Sequence, residues 1–383
     1  MLLSKGFEVE LYTGTPAGEI VGLSDRIAAE LEGFVREPDS RNVEYTTAPR
    51  YSYDQLLCDL VIPRQRLRHF LLKMGNYTLI PGSTLSLSGS DRFHRSDPAN
   101  PYHAYIEKIY GTKVVTASIH INIGINDPEL LMKACRLIRV EAPLYLALSA
   151  SSPFLDGKPT GYHSTRWHTF PQTPARVPIF ESHNHFIQWT EAQLVAKTMQ
   201  NVRHLWSSVR PNGDCRPYKL NRLELRICDM VSDPIALLSI TALLEARLWQ
   251  LFEQPDLDPL VGSRLPEGSR NDDLVALTAA NEIAAARYSL GATLRHWQDG
   301  RAIAAKDWLQ RLYGEVYPYA KERGFSCFLS PILRLIKKGN EAQRWLTQLD
   351  AGHSCKEVVV GYTRRMAERE RKLAGQICQN WVA

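Results

Sequence analysis

GFEVELY, residues 6–12, sets Phe7, Val9 and Leu11 in strict alternation with Glu8 and Glu10. A strand points successive side chains to opposite faces, so this run has one apolar face and one face of carboxylates. Three further runs repeat the pattern. NVEYTTAP (42–49) alternates Val43 and Tyr45 with Asn42, Glu44 and Thr46. ASIHINIGI (117–125) alternates Ile119, Ile121, Ile123 and Ile125 with His120 and Asn122. NRLELRICD (221–229) alternates Leu223, Leu225 and Ile227 with Arg222, Glu224 and Arg226. As neighbours in one sheet, the four runs would bury their apolar faces and gather four Glu, one His and two Arg on a single wall.

Carboxylates packed that closely repel, and a desolvated one is costly unless it is paired or bound to metal. Magnesium or manganese would relieve the repulsion, because such hard cations favour oxygen ligands, accept an occasional imidazole, and combine a few carboxylates with substrate phosphates. One such run alone is an ordinary solvated sheet face. Four with the same chemistry are not, since a plain wet face draws Thr, Lys and Ser as readily as Glu.

Helical spacing marks 54–74, 128–148 and 190–209, and again much of 276–383, which is rich in Ala, Leu, Arg and Glu. The stretch QPDLDPLVGSRLPEGSRND (254–272) is dense in turn formers and reads as a connection. The division expected is a catalytic sheet region with packing helices over 1–253, a loop over 254–275, and a mainly helical region over 276–383 that completes the same domain. Strands and helices without βαβ alternation predict an α+β fold, with helices on one face of a largely antiparallel sheet. The terminal run TRRMAERERK reads as a solvated helix face, and His163, His168, His183 and His185 as loop histidines.

Composition narrows the function. At 44% hydrophobic and 23% charged residues the chain can build a core and is not wholly disordered. A charge of +5, from 46 basic and 41 acidic residues interspersed, is too weak to argue nucleic-acid binding and suits anionic small substrates. The apolar stretch near 234–252 carries Glu245 and Arg247 and reads as a soluble helix, with no membrane role expected. MLLSKGFEVEL meets acids too early for a signal peptide. Seven cysteines, odd in number and without a CxxC pair, predict reduced thiols and a cytoplasmic location, with Cys215 and Cys228 the best placed for any redox role. GxxxxGK[ST], GxGxxG and HExxH are all missing, so ATP, if bound, must be held by metals and arginines.

Taken together, these residues resemble the glutamate–cysteine ligase and carboxylate–amine ligase superfamily, whose catalytic domain is similar to that of glutamine synthetase. GFEVE looks like its Gly-x-Glu-x-Glu strand, and Asn42–Pro49 like its Glu-x-x-Thr-x-Pro segment. IEKIYGTKVVTASIHINIG (106–124) is similar to its tyrosine–glycine then His-x-Asn pattern. LSASSPFLDGKPTGYHSTR (148–166), LELRICD (223–229) and NEIAAARYSLGA (281–292) follow in the family's order, with Ser289 standing where a glycine is usual.

The resemblance implies a glutamine synthetase-like antiparallel sheet with a concave active-site face. It implies ATP-dependent joining of the γ-carboxylate of L-glutamate to the amine of L-cysteine through γ-glutamyl phosphate, with Mg2+ or Mn2+, on the way to glutathione. Carried over, Glu8, Glu10, Glu44, His120 and Glu224 are metal ligands and Arg226 steadies the transferring phosphoryl group. Asn122, Arg166 and Arg287 are assigned to substrate or nucleotide. The alternatives are a ligase with another amine acceptor, a guanidino kinase, or a non-catalytic binder on the same fold; the intact acids speak against the last. Oligomeric state does not follow from the sequence.

Overall fold

The computed structural model describes residues 2–378. Its centre is a seven-stranded antiparallel sheet made of β1 (Lys5–Gly14), β2 (Phe34–Arg36), β3 (Asn42–Thr46), β4 (Thr78–Ile80), β5 (Ile119–Gly124), and two later strands. A two-residue hairpin, β6 (Phe154–Leu155) with β7 (Lys158–Pro159), intervenes before β8 (Val209–Asn212) and β9 (Arg222–Leu225) complete the sheet. The order is β2-β3-β1-β5-β9-β8, with β4 on the far end of β1. A separate ribbon pairs β10 (Thr293–Arg295) with β11 (Ala302–Ala304).

The four alternating runs are therefore the four central strands, side by side. Phe7, Val9, Leu11, Ile119, Ile121, Ile123, Leu223 and Leu225 are buried. They face the long helices 53–75, 128–149 and 234–253, whose Leu, Ile, Val and Ala residues join the same core. Helix 128–149 begins at an Asp127 cap followed by Pro128, and helix 234–253 at Asp233 followed by Pro234, each Asp accepting a first-turn backbone N–H. The apolar 234–253 stretch packs inside the protein, with Glu245 bound to the Lys5 ammonium at 3.0 Å and to the Tyr53 hydroxyl. That is the architecture expected from period-two runs joined to helical ones.

Several local expectations are corrected. Residues 190–209 do not form one helix: a helix ends at Val195, and Val209 opens β8, a strand whose Arg-Pro-Asn content has no apolar alternation to announce it. His183 and His185 lie in the first turn of that helix, not in a loop. The 254–275 connection carries short turns of helix and the start of the helix Arg270–Tyr288. The terminal helix Cys355–Ile377 is not solvated all round, because Glu370 is buried and bonds the guanidinium groups of Arg64 and Arg68 on helix 53–75. The same helix pair is joined by a disulfide between Cys58 and Cys378, against the expectation of seven free thiols. Partners 320 residues apart cannot be read from spacing. Cys215 and Cys228 are not a pair: the first is exposed, and burial pushes the second's thiol up to about 12.

Candidate active site

Strand register brings the polar wall together. Glu10 stands directly opposite Glu44 across β1 and β3, and Glu8 opposite His120 across β1 and β5. Asn122, Glu224 and Arg210 form one row across β5, β9 and β8. A one-residue slip in any strand would send these groups to the core face, so burial of Ile, Val and Leu on the other side fixes the wall.

His120 sits at the centre. Its Nδ1 lies 2.9 Å from Glu8 Oε2 and 3.5 Å from Glu224 Oε1, and its Nε2 lies 3.1 Å from the Ser118 hydroxyl. Glu8, His120 and Glu224 each offer one ligand atom within 4.8 Å of the others, which is the compactness a metal ion needs. Ser118 donates its N–H and hydroxyl to Glu10 Oε2, both at 2.8 Å. Asn122 Nδ2 donates to Glu8 Oε1 at 3.2 Å, while Asn122 Oδ1 is buried with no partner among the described residues.

Glu224 is held by three side chains. Arg210 grips it with both sides of its fork, Nε to Oε2 at 2.6 Å and Nη2 to Oε1 at 3.0 Å, and Asn212 Nδ2 donates to Oε2 at 2.7 Å. Arg226 Nη1 donates to Oε1. Burial alone would raise this carboxyl; the two guanidinium groups outweigh it and keep Glu224 ionised well below the usual range. Arg210 was not among the sequence candidates, because the residues before it carried no strand signal.

Glu37 was missed as well. It directly follows the short strand β2, beside Glu44 on β3, and faces the same space as Glu8, Glu10 and His120. Burial, together with the neighbouring Glu10 and Glu8, pushes Glu37 up to about 8. Burial and the repulsion of Glu37, Glu10 and Glu8 push Glu44 up to about 10. An oxygen-rich wall that cannot ionise fully by itself, together with the orphan Asn122 oxygen, fits hard divalent cations.

Two cavities meet at this wall, sharing Glu10, Glu37, His120 and Arg226. The first, about 370 Å³, is lined by the rings of Tyr102, Trp167, Phe170 and Trp206. The second, about 910 Å³, is lined by charge of both signs, with Arg210, Arg216 and Arg222 facing Glu8, Glu44 and Asp214. Arg166 lies in the wall of the first, but much of its guanidinium is committed: Nε pairs with Asp229 at 2.8 Å and Nη2 with the Ile227 carbonyl. Asp229 also accepts from the Ser151 N–H and the Ser152 and Ser164 hydroxyls. The Ser-Ser-Pro-Phe, Ser-x-Arg and Glu-x-Arg-x-x-Asp blocks thus meet on one buried carboxylate.

Arg287 is not brought to this wall. It is exposed in the last turn of helix 270–288, stacked on Tyr288 at 5.3 Å. Helical periodicity turns Glu282 inward and Arg287 outward, which a motif match cannot register. Ser289, in place of the usual glycine, takes a positive φ of 46° and bonds His163 Nδ1 at 2.6 Å.

A model of glutamate-cysteine ligase family 2 matches residues 4–369. A Rubrobacter xylanophilus protein named "Putative glutamate--cysteine ligase 2-3" is 27% identical over 291 residues, 76% of this chain and 72% of that protein. A second protein of that organism, the 2-1 form under the same name, is 25% identical over 347 residues, 88% of this chain and 86% of its own. Among solved structures, a glutamate–cysteine ligase of Francisella tularensis in complex with AMP superposes with a TM-score of 0.74 at 14% identity, over 97% of this chain and 89% of that one. A bifunctional glutathione synthetase from Pasteurella multocida gives 0.74 at 15% identity, over 98% of this chain and 53% of its own. At these identities the two structures bear on the fold.

Proposed function

This chain belongs to glutamate–cysteine ligase family 2, and from that premise we propose that it joins the γ-carboxylate of L-glutamate to an amine, L-cysteine first among the acceptors, using ATP and Mg2+. The observation that carries the reading is the row of acids and His120 from four neighbouring strands, bordered by arginines, between two cavities.

The larger cavity, with six arginines on its wall, suits a triphosphate, and the smaller ring-lined one suits amino acids. Glu8, Glu10, Glu37, Glu44, Glu224 and His120, with Asn122 Oδ1, would hold the cations, whose contribution when bound is to offset phosphate charge. A glutamate γ-oxygen attacks the terminal phosphorus of ATP and ADP leaves, giving γ-glutamyl phosphate. The amine nitrogen then attacks the acyl carbon, phosphate departs and a proton is released to the medium. The chain supplies position and fixed charge, so no nucleophilic side chain is required. Arg226, pinned through Nη1 to Glu224, keeps the rest of its fork for the moving phosphoryl oxygens.

Two expected results follow from the wall. Arg226→Lys should lower ADP release about 100-fold, because a point charge cannot reproduce a planar fork; an unchanged rate removes Arg226 from the site. The second concerns pH. Glu37 and Glu44 keep their protons in the folded chain up to about 8 and about 10, whereas their ordinary value is 4.5. A raised carboxyl makes the folded state bind more protons than the unfolded one, so the cation-free chain loses stability as pH climbs from about 4.5 towards 8. Added Mg2+ should therefore raise the melting temperature more at about pH 8 than at about pH 5.5. Equal gains at both would contradict the acid wall as the cation site.

The reading itself is tested by ADP release with glutamate, Mg2+ and a panel of amino acids. Release that depends on cysteine supports it; release dependent on another amine reassigns the acceptor. Release with a guanidino compound, or none under any condition, defeats it.

A further inference from the structure

A third cavity, of about 320 Å³, lies behind the ring-lined one, with Trp206 and Ser207 in the partition between them. It is bounded by helix 270–288 and by the 172–177 segment, and the ligase chemistry makes no use of it. Two of its polar groups are incompletely satisfied, and a third carries the opposite charge to one of them.

Arg139 projects from helix 128–149 into its wall. Its two terminal nitrogens donate to the carbonyls of Pro178 and Val177, which uses two of the five N–H groups of a guanidinium. No carboxylate touches it among the described residues; the anion that acts on it is Glu282, which lines the same cavity. A desolvated cation without a paired anion is costly. Thr278 is 2% exposed, and its hydroxyl has no hydrogen-bond partner among the described residues, although a helical threonine can ordinarily reach the preceding turn. Glu282 is buried, and its Oε2 accepts from Trp167 Nε1 and Gln172 Nε2, both at 3.2 Å. The Ser208 hydroxyl and the positive charge of Arg139 also act on this carboxylate.

A guanidinium and a carboxylate of opposite charge that do not touch, and between them a hydroxyl without a partner among the described residues, face one small space. We propose that this cavity is a second binding site, separate from the ligase wall, for a small zwitterion of the α-amino-acid class, with its carboxylate on Arg139 and Thr278 and its ammonium on Glu282. The volume falls in the range of small-molecule pockets. The shared partition at Trp206 gives an occupant a direct mechanical path to the catalytic cavity.

The test is equilibrium dialysis of the full-length protein against each common L-amino acid, with acetate as a carboxylate lacking the ammonium. Ala279, exposed at the cavity's edge, takes an A279W substitution that fills it without touching the acid wall, and T278V removes the orphan hydroxyl at nearly constant volume. At least one amino acid should bind, more tightly than acetate, and should lose about tenfold in affinity in A279W and several-fold in T278V. Both variants should melt with the wild type and keep its basal rate of ADP release. Binding that is the same in A279W, or no binding by any amino acid, overturns the proposal. Dialysis reads this site even if the chain releases no ADP, so failure of the ligase reading and failure of this one are distinguishable.

Discussion

Glu224→Gln should abolish turnover and loosen the fold together. The carboxylate is fully buried and is the anion for two guanidinium groups, Arg210 at 2.6 Å and Arg226. Glutamine keeps the shape and one acceptor but leaves two cations in a buried site without their charge partner. Breaking a buried pair by removing one member costs about 3–5 kcal/mol. The urea midpoint should fall accordingly, and ADP release should drop by about 10³-fold as the arginine fork and the cation site lose their anchor. A variant with the wild-type midpoint would mean that Glu224 does not hold Arg210 and Arg226 in place. The companion variant Arg210→Gln should lose stability in the same way, because it strips the bidentate contact from the same oxygen pair.

Glu8→Gln separates the two effects. Its side chain is 25% exposed and makes hydrogen bonds to His120 and Asn122, both of which an amide can partly retain. The carboxyl is lowered below its ordinary value: burial and Glu224 push it up, and the His120 bond, His120 itself and Arg226 prevail. Glutamine there should leave the midpoint within about 1 kcal/mol of wild type while reducing ADP release about 10³-fold. It should also weaken Mn2+ binding, measured by the loss of free-ion signal in electron paramagnetic resonance. Normal turnover with normal Mn2+ binding would remove Glu8 from the cation site. Equal destabilisation in both variants would show that the wall is merely an ion-pair network.

The strands that carried strict alternation were legible because one face had to be buried, and that requirement acts locally. Phe7, Val9 and Leu11 fix where Glu8 and Glu10 point without help from the rest of the chain. Arg210 and Glu37 were not legible. β8 and β2 are three or four residues long, carry Arg, Pro or Asn, and are strands only because β9 and β3 offer them hydrogen-bonding edges. The Arg287 assignment fell to helix phase: the residue is in the motif, but the packed side of helix 270–288 belongs to Asn281, Glu282, Ala285 and Ala286. Glu370 shows the same effect, an acid in a charged run that tertiary packing buries against Arg64.

By itself, then, the order of residues determined the α+β class, the four central strands, the face on which the acids lie and the family they belong to, because each rests on short-range periodicity or on motifs in register. Which acids stand within reach of one another, which arginines hold Glu224, that Cys58 meets Cys378, and that a further polar cavity backs onto Trp206 were decided only in three dimensions. Those contacts join groups far apart along the chain, and their strength depends on burial and on neighbours that no single segment contains.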